Sequence, residues 1–554
     1  MRAFAHRQRT QQAGFARDEF VGRPVIAILN TWSDLSPCHA HLRERAADIA
    51  RGITRAGGFA VELPAMSLGE VMVKPTTMLY RNLLAMETEE LLRSHPVDGA
   101  VLLGGCDKTT PGLLMGAISM DVPCIFVPAG PMLSGHWRGQ KLGAGTHTRH
   151  FWDERQAGRL GDADWQELEG VMTRSPGTCQ TMGTASTMTI LAEAMGMTLP
   201  GAAAIPAMDS EHRRMAYRAG VRAVAMVAED LRPSRVLSSA SLANALHVLA
   251  AIGGSTNAAI HLKALAGRAE LPLPAGSIDA AARQTPCLLD LMPAGAHLMG
   301  DFFQAGGVPA LMARLADRLD GGAGSVTGQR LEAGYAGAVV HDDSVIRRLD
   351  DPVSDRPALA ELTGNLAPDG AIIKPTAASP ALLEHAGPAV VFDGPADMAA
   401  RIDSAATQIT PDSVLVLRRG GPIGGPGMPE WGALPVPKRL LRDGVRDMLR
   451  LSDARMSGTH GGTCVLHITP EAAVGGPLAA LRDGDTVRLS LQAREISVDL
   501  AADEIARRLA DHRPPEAPAR GFAQLYARHV QQASEGCDFD FLRGRGGLPE
   551  PDIY

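Results

Sequence analysis

Three cysteines stand in polar loops that also carry Gly, Pro or Thr: Cys38 in NTWSDLSPCHAH, Cys106 in GGCDKTTPG and Cys179 in SPGTCQTMGTAST. Thiolates are soft ligands that suit iron–sulfur clusters or zinc. Three of them would leave one coordination position open to a substrate. They lie far apart in the chain with no CxxC pair, so only the fold could bring them together, and three unrelated buried cysteines is the competing reading. Cys124, inside the apolar run PCIFV, reads as core, and Cys287, Cys464 and Cys537 have no comparable setting.

Carboxylates form a second set. Glu70 (SLGE), Asp107 with Lys108 (CDK) and Glu430 (GMPEW) are candidates for a hard-cation site, because anionic oxygens suit Mg²⁺. Taken singly, each could equally be solvated or salt-bridged. Asp107 adjoins Cys106, which makes a second metal beside the thiols geometrically easy. Three glycine-rich stretches complete the list: Ile252–Asn257 (IGGSTN), Gly420–Gly427 (GGPIGGPG) and Asp453–Gly462 (DARMSGTHGG). The last could wrap backbone N–H groups around an anion and carries the hydroxyls Ser457 and Thr459. It is neither a GxSxG elbow nor a Walker loop. His39 and His460 lie in these segments, where each could contact substrate or be a satisfied structural histidine; no HExxH occurs.

The elements that must position these residues alternate in type. Pro24–Leu29, Phe59–Leu63, Gly99–Leu103 and Pro123–Val127 read as buried strands, and Ala40–Ala56 and Thr76–Ser94 as helices between them. This alternation predicts a parallel α/β sheet, with sites beyond the carboxyl ends of its strands. Asn30–His39 and Gly104–Pro111 both fall there. From about 154 to 284 the chain is richer in helix, clearest at Thr184–Met197 and Ala240–Ala251, and around 321–334 it becomes loop-like. From Gly364 onward, short β-like runs (Ala371–Ile373, Ala389–Phe392, Ser413–Leu417, Thr486–Leu491, Glu495–Leu500) are separated by Gly, Pro and Asp, which predicts a mostly β second domain, a barrel. The expected division is 1–360 and 361–554.

The 554 residues are 45% hydrophobic and 21% charged, with a net charge of −7, which gives no broad electrostatic reason to bind nucleic acid or an anionic membrane. No apolar run has the length of a spanning helix, and the N-terminal MRAFAHRQRTQQAGFARDEF lacks the apolar stretch of a secretory signal. The expected location is cytoplasmic, where seven cysteines would be reduced, buried or metal-bound.

NTWSDLSPCH, GGCDKTTPG, PGTCQTMGTAST, IGGSTNA, GGPIGGPGMPE and DARMSGTHGGTCVLHITPEA together resemble the family of dihydroxy-acid, phosphogluconate and sugar-acid dehydratases, from about residue 10 to the C-terminus. Ser33, Asp34 and His39 follow the pattern of the pentonate dehydratases acting on L-arabonate or D-xylonate, whereas Ser457-Gly458-Thr459-His460-Gly461 is similar to the branched-chain biosynthetic branch. The resemblance implies that Cys38, Cys106 and Cys179 hold a [2Fe–2S] cluster acting on the departing C3 hydroxyl. It implies that Glu70, Asp107, Glu430 and a carbamylated Lys108 surround Mg²⁺, which binds the substrate carboxylate and C2 hydroxyl. Ser457, as alkoxide, would take the C2 proton and Thr459 would help seat the carboxylate. It further implies an α/β domain followed by a β-barrel, a site between them, and a homodimer or homotetramer. The expected reaction converts a sugar acid, a pentonate such as L-arabonate or D-xylonate, to a 2-keto-3-deoxy sugar acid. The alternatives are the same chemistry on 2,3-dihydroxy-3-methyl acids and a non-catalytic iron–sulfur redox protein.

Overall fold

The computed structural model describes residues 2–546; Met1 and residues 547–554, the end of the span expected to form the second domain, lie outside the described residues. Strands β1 (Val25–Asn30), β2 (Phe59–Pro64), β3 (Gly99–Gly104) and β4 (Cys124–Pro128) form an all-parallel sheet in the order β2-β1-β3-β4. The two-stranded ribbon β5 (Gly135–Trp137) and β6 (Gln140–Leu142) follows. The helices that position the sheet and the loops are α1 (Leu42–Arg55), α2 (Met78–Ser94), α3 (Thr109–Met120), α4 (Thr146–Gln156), α5 (Thr184–Ala194), α6 (Ser210–Glu229), α7 (Ser239–Ala251) and α8 (Asn257–Arg268).

Period-two alternation sends side chains to two different cores. Ile26, Ile28, Val101, Leu103, Ile125 and Val127 pack with α1 and α6, while Ala27, Leu29, Ala100, Leu102 and Phe126 pack with α2 and α3. Both faces are therefore apolar, which is why these strands read as continuous hydrophobic runs. Burying each large side chain is worth about 1.5–3 kcal/mol, so a one-residue slip of register would lose a whole row of such contacts.

The second sheet is a closed barrel of eight strands, in the order β10-β11-β12-β8-β7-β14-β13-β9. Its members are β7 (Ala360–Gly364), β8 (Ala367–Ile373), β9 (Glu384–Asp393), β10 (Val414–Arg418), β11 (Arg450–Ser452), β12 (Cys464–Leu466), β13 (Thr486–Ser490) and β14 (Glu495–Val498). Alternation again selects the faces: Val414 and Val416 join the cluster of Leu451, Val465, Val487 and Ile496, whereas Leu415 and Leu417 pack against Leu434 and Leu440. All five expected β runs are strands of this barrel. β7, β11 and β12 were not legible, the last two because three residues carry no period.

Beyond the barrel, α9 (Gly521–His529) and the segment after it return to the first body. Arg81 and Asn82 of α2 donate to the carbonyls of Gly536 and Cys537 at 2.8–2.9 Å, and the fully buried Arg268 of α8 forms a two-pronged pair with Asp538 at 2.6 and 3.0 Å. Glu89, at 3.7 Å from Arg268, answers little of that charge. Asp538→Ala should therefore strand a buried guanidinium and lower stability by about 3–5 kcal/mol in denaturant unfolding; a loss below about 1 kcal/mol would mean the pair does not hold the segment in place. Among the described residues no helix is long and apolar enough to cross a membrane.

Candidate active site

The carboxyl ends of β1 and β3 deliver the first two thiols. The Asn30–His39 loop follows β1, and Gly105-Cys106-Asp107 turns from β3 into α3. Cys106 holds a left-handed backbone, φ 67°, which costs a non-glycine residue about 1–2 kcal/mol. Such cost is retained where position matters more than stability. Cys179 arrives from the loop before α5. The neighbouring Cys106 thiol, then burial and the nearby charges of Cys179 and Asp107, hold the Cys38 pKa well above the ordinary thiol value. Burial, then Asp107, Cys106 and Glu430, raise Cys179 likewise. The three predicted thiols thus lie near enough to influence one another's ionisation, and negative charge on them is disfavoured unless a cation offsets it.

His39 is fully buried and neutral, its pKa pushed down to about 4 by burial. Its Nε2 donates to the Gly105 carbonyl at 2.8 Å, and its Nδ1 accepts from the Ser67 hydroxyl at 2.9 Å. With both ring nitrogens partnered, it braces the Cys38 loop against the end of β3.

The carboxylates converge on Lys108. This lysine is fully buried at the N-terminus of α3, with Nζ 3.1 Å from Glu70, 3.3 Å from Asp107 and 3.2 Å from Glu430. Burial and Arg455 oppose its charge, but Glu70, Glu430 and Asp107 together outweigh them and raise its pKa. For Glu430, burial is outweighed by Lys108, Arg455 and His460, so its carboxyl is held below the usual range. Glu70 is shifted up, by burial first, with Lys108 opposing and the other two carboxylates adding to the rise. Three half-buried carboxylates around one point favour a cation there, and the fully buried Lys108 ammonium meets that demand. No three His, Cys, Asp or Glu side chains among the described residues form a tight single-ion cage. Oxygen donors around the spot nevertheless have the chemistry of a hard-cation site, provided Lys108 gives up its positive charge.

The sequence did not single out the residues that tie this cluster to the barrel. Arg455 donates to Glu430 at 3.1 Å, to the Met428 carbonyl at 2.8 Å and to Thr76 at 3.1 Å. Thr76 and Thr77 both donate to Glu70. Asn257, the last residue of IGGSTN, donates to the Met456 carbonyl at 3.2 Å and to Glu430 at 3.4 Å. It thereby joins the acidic cluster to the residue before Ser457. The glycine-rich pattern marked the IGGSTN loop; nothing in it marked the asparagine.

The Asp453–Gly462 loop runs between β11 and β12. Ser457 Oγ lies 2.9 Å from Thr459 Oγ1, and the Thr459 carbonyl accepts from Thr146 of α4 at 2.8 Å. The loop is pressed into the first body at glycines. A Cβ on Gly458 would stand 2.6 Å from Ser255 Oγ and 2.9 Å from the Thr184 nitrogen, and one on Gly145, φ 84°, would strike the Thr459 side chain. Gly458→Ala is expected to cost about 1–3 kcal/mol and to displace Ser457. Thermal melting beside turnover checks this, and unchanged turnover would show that the loop has room. His460, half-buried, has a buried Nδ1 with no partner, and burial lowers its pKa to about 4.

Each predicted site residue therefore lies in one seam between sheet and barrel: thiols on the first body, carboxylates from both, hydroxyls from the barrel loop. Such a seam can bind a carboxylate, polarise hydroxyls and move a proton at Ser457 Oγ.

Comparison with known proteins shows which family the two bodies match. Residues 23–334 match the dihydroxy-acid/6-phosphogluconate dehydratase N-terminal family, and residues 344–537 match the C-terminal family of the same name. The chain is 58% identical to the 6-deoxy-6-sulfo-D-gluconate dehydratase of Pseudomonas putida, covering 100% of this chain and 96% of the relative. It is 48% identical to the L-arabonate dehydratase of Azospirillum brasilense over 99% and 96%. It is 36% identical to the dihydroxy-acid dehydratase of Thermodesulfovibrio yellowstonii over 96% and 97%.

Proposed function

Because the chain belongs to the dihydroxy-acid/6-phosphogluconate dehydratase family, we propose that it removes water from a sugar acid of five or six carbons to give a 2-keto-3-deoxy acid. The observation that carries this reading is the meeting of three thiols, three carboxylates around Lys108, and the Ser457–Thr459 hydroxyl pair in one seam.

Cys38, Cys106 and Cys179 have the donor chemistry for a [2Fe–2S] cluster. Glu70, Asp107 and Glu430 have it for Mg²⁺, with Lys108 as a carbamate, which turns the one cationic member of that set into an oxygen anion. Bound there, the two would supply Lewis acidity toward the departing C3 hydroxyl and toward the carboxylate with the C2 hydroxyl. The chain's own residues do the rest. Ser457 Oγ, as alkoxide, takes the C2 proton, C3 loses hydroxide, which the serine's proton converts to water, and the enol becomes the keto acid as C3 gains a proton and the C2 hydroxyl loses one. A serine hydroxyl is a weak base unless nearby positive charge favours its alkoxide, which ties Ser457 to the cation site beside it. Thr459 orients Ser457 and offers a donor to the substrate carboxylate, while Asn257 and Arg455 fix Glu430.

The relatives favour sugar acids over 2,3-dihydroxy-3-methyl acids, since identity falls from 58% and 48% to 36% between those classes. A pentonate is the second reading, supported by the arabonate relative and by Ser33, Asp34 and His39. The test is anaerobic turnover by iron-reconstituted protein with Mg²⁺ on L-arabonate, D-xylonate, D-gluconate, 6-deoxy-6-sulfo-D-gluconate and dihydroxyisovalerate, measured as 2-keto acid. Product from any sugar acid supports the proposal; product from dihydroxyisovalerate alone overturns it. A homodimer or homotetramer belongs to the same proposal and is checked by light scattering.

A further inference from the structure

The Gly420–Gly427 run has the composition of an anion-binding loop, yet the acceptors its backbone meets are the chain's own. Asp453 Oδ1 accepts from the Gly420 nitrogen at 2.8 Å, and its Oδ2 accepts from the nitrogens of Arg419 at 3.2 Å and Ala472 at 2.9 Å. Glu471 Oε1 accepts from the Ile423 nitrogen at 2.9 Å and from Gln532 Nε2 at 3.0 Å, while its Oε2 accepts from the Gly424 nitrogen at 2.8 Å. A Cβ on Gly421 would stand 2.5 Å from Glu471 Oε2, so the carboxyl fills the space a side chain there would need.

Both acids are 1% exposed. Among the described residues no basic side chain pairs with either, and Arg455, which lies between them in the chain, gives its charge to Glu430. Burial pushes the Asp453 carboxyl up to about 6, and burial with the charge of Asp453 pushes Glu471 up to about 7. Two buried acids without a cation are a costly way to close a loop. What they supply is direction. Each fixes where several N–H groups point, in a stretch whose glycines have little conformational preference of their own.

The loop they shape leads to Glu430. At its far end the Met428 carbonyl accepts from Arg455 Nε at 2.8 Å, and the Pro429 carbonyl accepts from the Arg455 nitrogen at 3.3 Å. Asp453, Glu471 and Arg455 therefore fasten the loop at its start, middle and end. Asp453 and Arg455 belong to the same segment as Ser457.

We propose that Asp453 and Glu471 are positioning residues that template the loop from Arg419 to Glu430, hold Glu430 in register with Ser457, and so set the affinity of the Glu70, Asp107 and Glu430 cluster for a divalent cation. The cation part rests on the functional reading above. Gln532 extends the template, since its Oε1 also accepts from the Glu471 nitrogen at 2.9 Å. Through Glu471 the segment after α9 thus reaches the cation cluster.

The test uses full-length, iron-reconstituted protein in bicarbonate buffer at about pH 8, where both carboxyls are ionised. Mn²⁺ is the probe, its binding followed by electron paramagnetic resonance. Hydrogen exchange of residues 419–432 and the visible absorbance are read beside it. Glu471→Gln keeps the side-chain size but sets an amide donor against N–H donors. It should bind Mn²⁺ about tenfold or more weakly and exchange the loop amides about tenfold or more faster. Its absorbance should stay, because the three thiols lie on the first body. Gln532→Ala removes one donor and leaves both acids, and should move affinity and exchange the same way by about threefold. Affinity and exchange within about twofold of the wild type in both variants overturn the proposal. Faster exchange with unchanged affinity overturns the link to the cation cluster, and weaker binding with unchanged exchange overturns the templating. If Glu471→Gln loses its absorbance or fails to fold, Gln532→Ala decides by the same criteria. If the wild type binds no Mn²⁺, the cation reading fails and exchange alone decides: faster loop exchange in Glu471→Gln supports the templating, and unchanged exchange overturns it.

Discussion

Ser457→Ala should lower kcat for dehydration by about 10²–10⁴-fold, the range a positioned general base contributes. KM should move far less, because Thr459 and the carboxylate cluster, the groups proposed to seat the substrate, remain. The substitution removes one hydroxyl whose polar neighbours are Thr459 Oγ1 at 2.9 Å and the Thr459 nitrogen at 3.4 Å, so folding should be little affected. Steady-state kinetics beside a thermal melt make the measurement. Turnover within about tenfold of the wild type would move the base elsewhere. His460 is then the first candidate, since its buried Nδ1 is unpartnered and its ring is neutral above a pKa of about 4.

Cys106→Ser should abolish the visible absorbance of reconstituted protein and reduce dehydration by roughly 10³-fold or more. Lewis-acid stabilisation supplies several kcal/mol, and each 1.36 kcal/mol is a factor of ten. Cys106 is the thiol that both of the others sense, and a serine oxygen is too hard a donor to replace it in a cluster. Cys124→Ser is the matched control. Cys124 is buried in β4, where burial pushes its thiol up to about 12, and it belongs to the sheet core. It should keep the absorbance. Equal loss in both variants would point to damage of the sheet, and retained absorbance in Cys106→Ser would remove this cysteine from the ligand set.

Much of the first body was legible because its strands obey simple physics. VIAILN, GAVLLG and CIFVP are apolar on both faces, separated by helix patterns, and end in the loops that carry Cys38 and Cys106. Residue type also marked the candidate chemistry: thiols in polar loops, carboxylates next to glycine turns, hydroxyls in a glycine-rich run. The family resemblance rested on those same segments.

What the tertiary structure decided is which of these groups meet, and why they stay together. The Ser457 loop hangs between β11 and β12, three-residue strands that have no period of their own and exist because β10 and β8 flank them. Arg455 and Asn257 gain their roles from partners far away in the chain, Glu430, Thr76 and Met456, that no local pattern connects to them. Lys108 shows the same division. Its sequence context suggests a cation-site residue, but its charge is held by Glu70 from the loop before α2 and Glu430 from the barrel. Local sequence sets secondary structure and donor chemistry through propensity and side-chain type. Convergence is set by the packing of the two bodies against each other, where Ile372, Met456, Cys464 and Leu466 of the barrel join the core of the first body, and no local pattern encodes that contact.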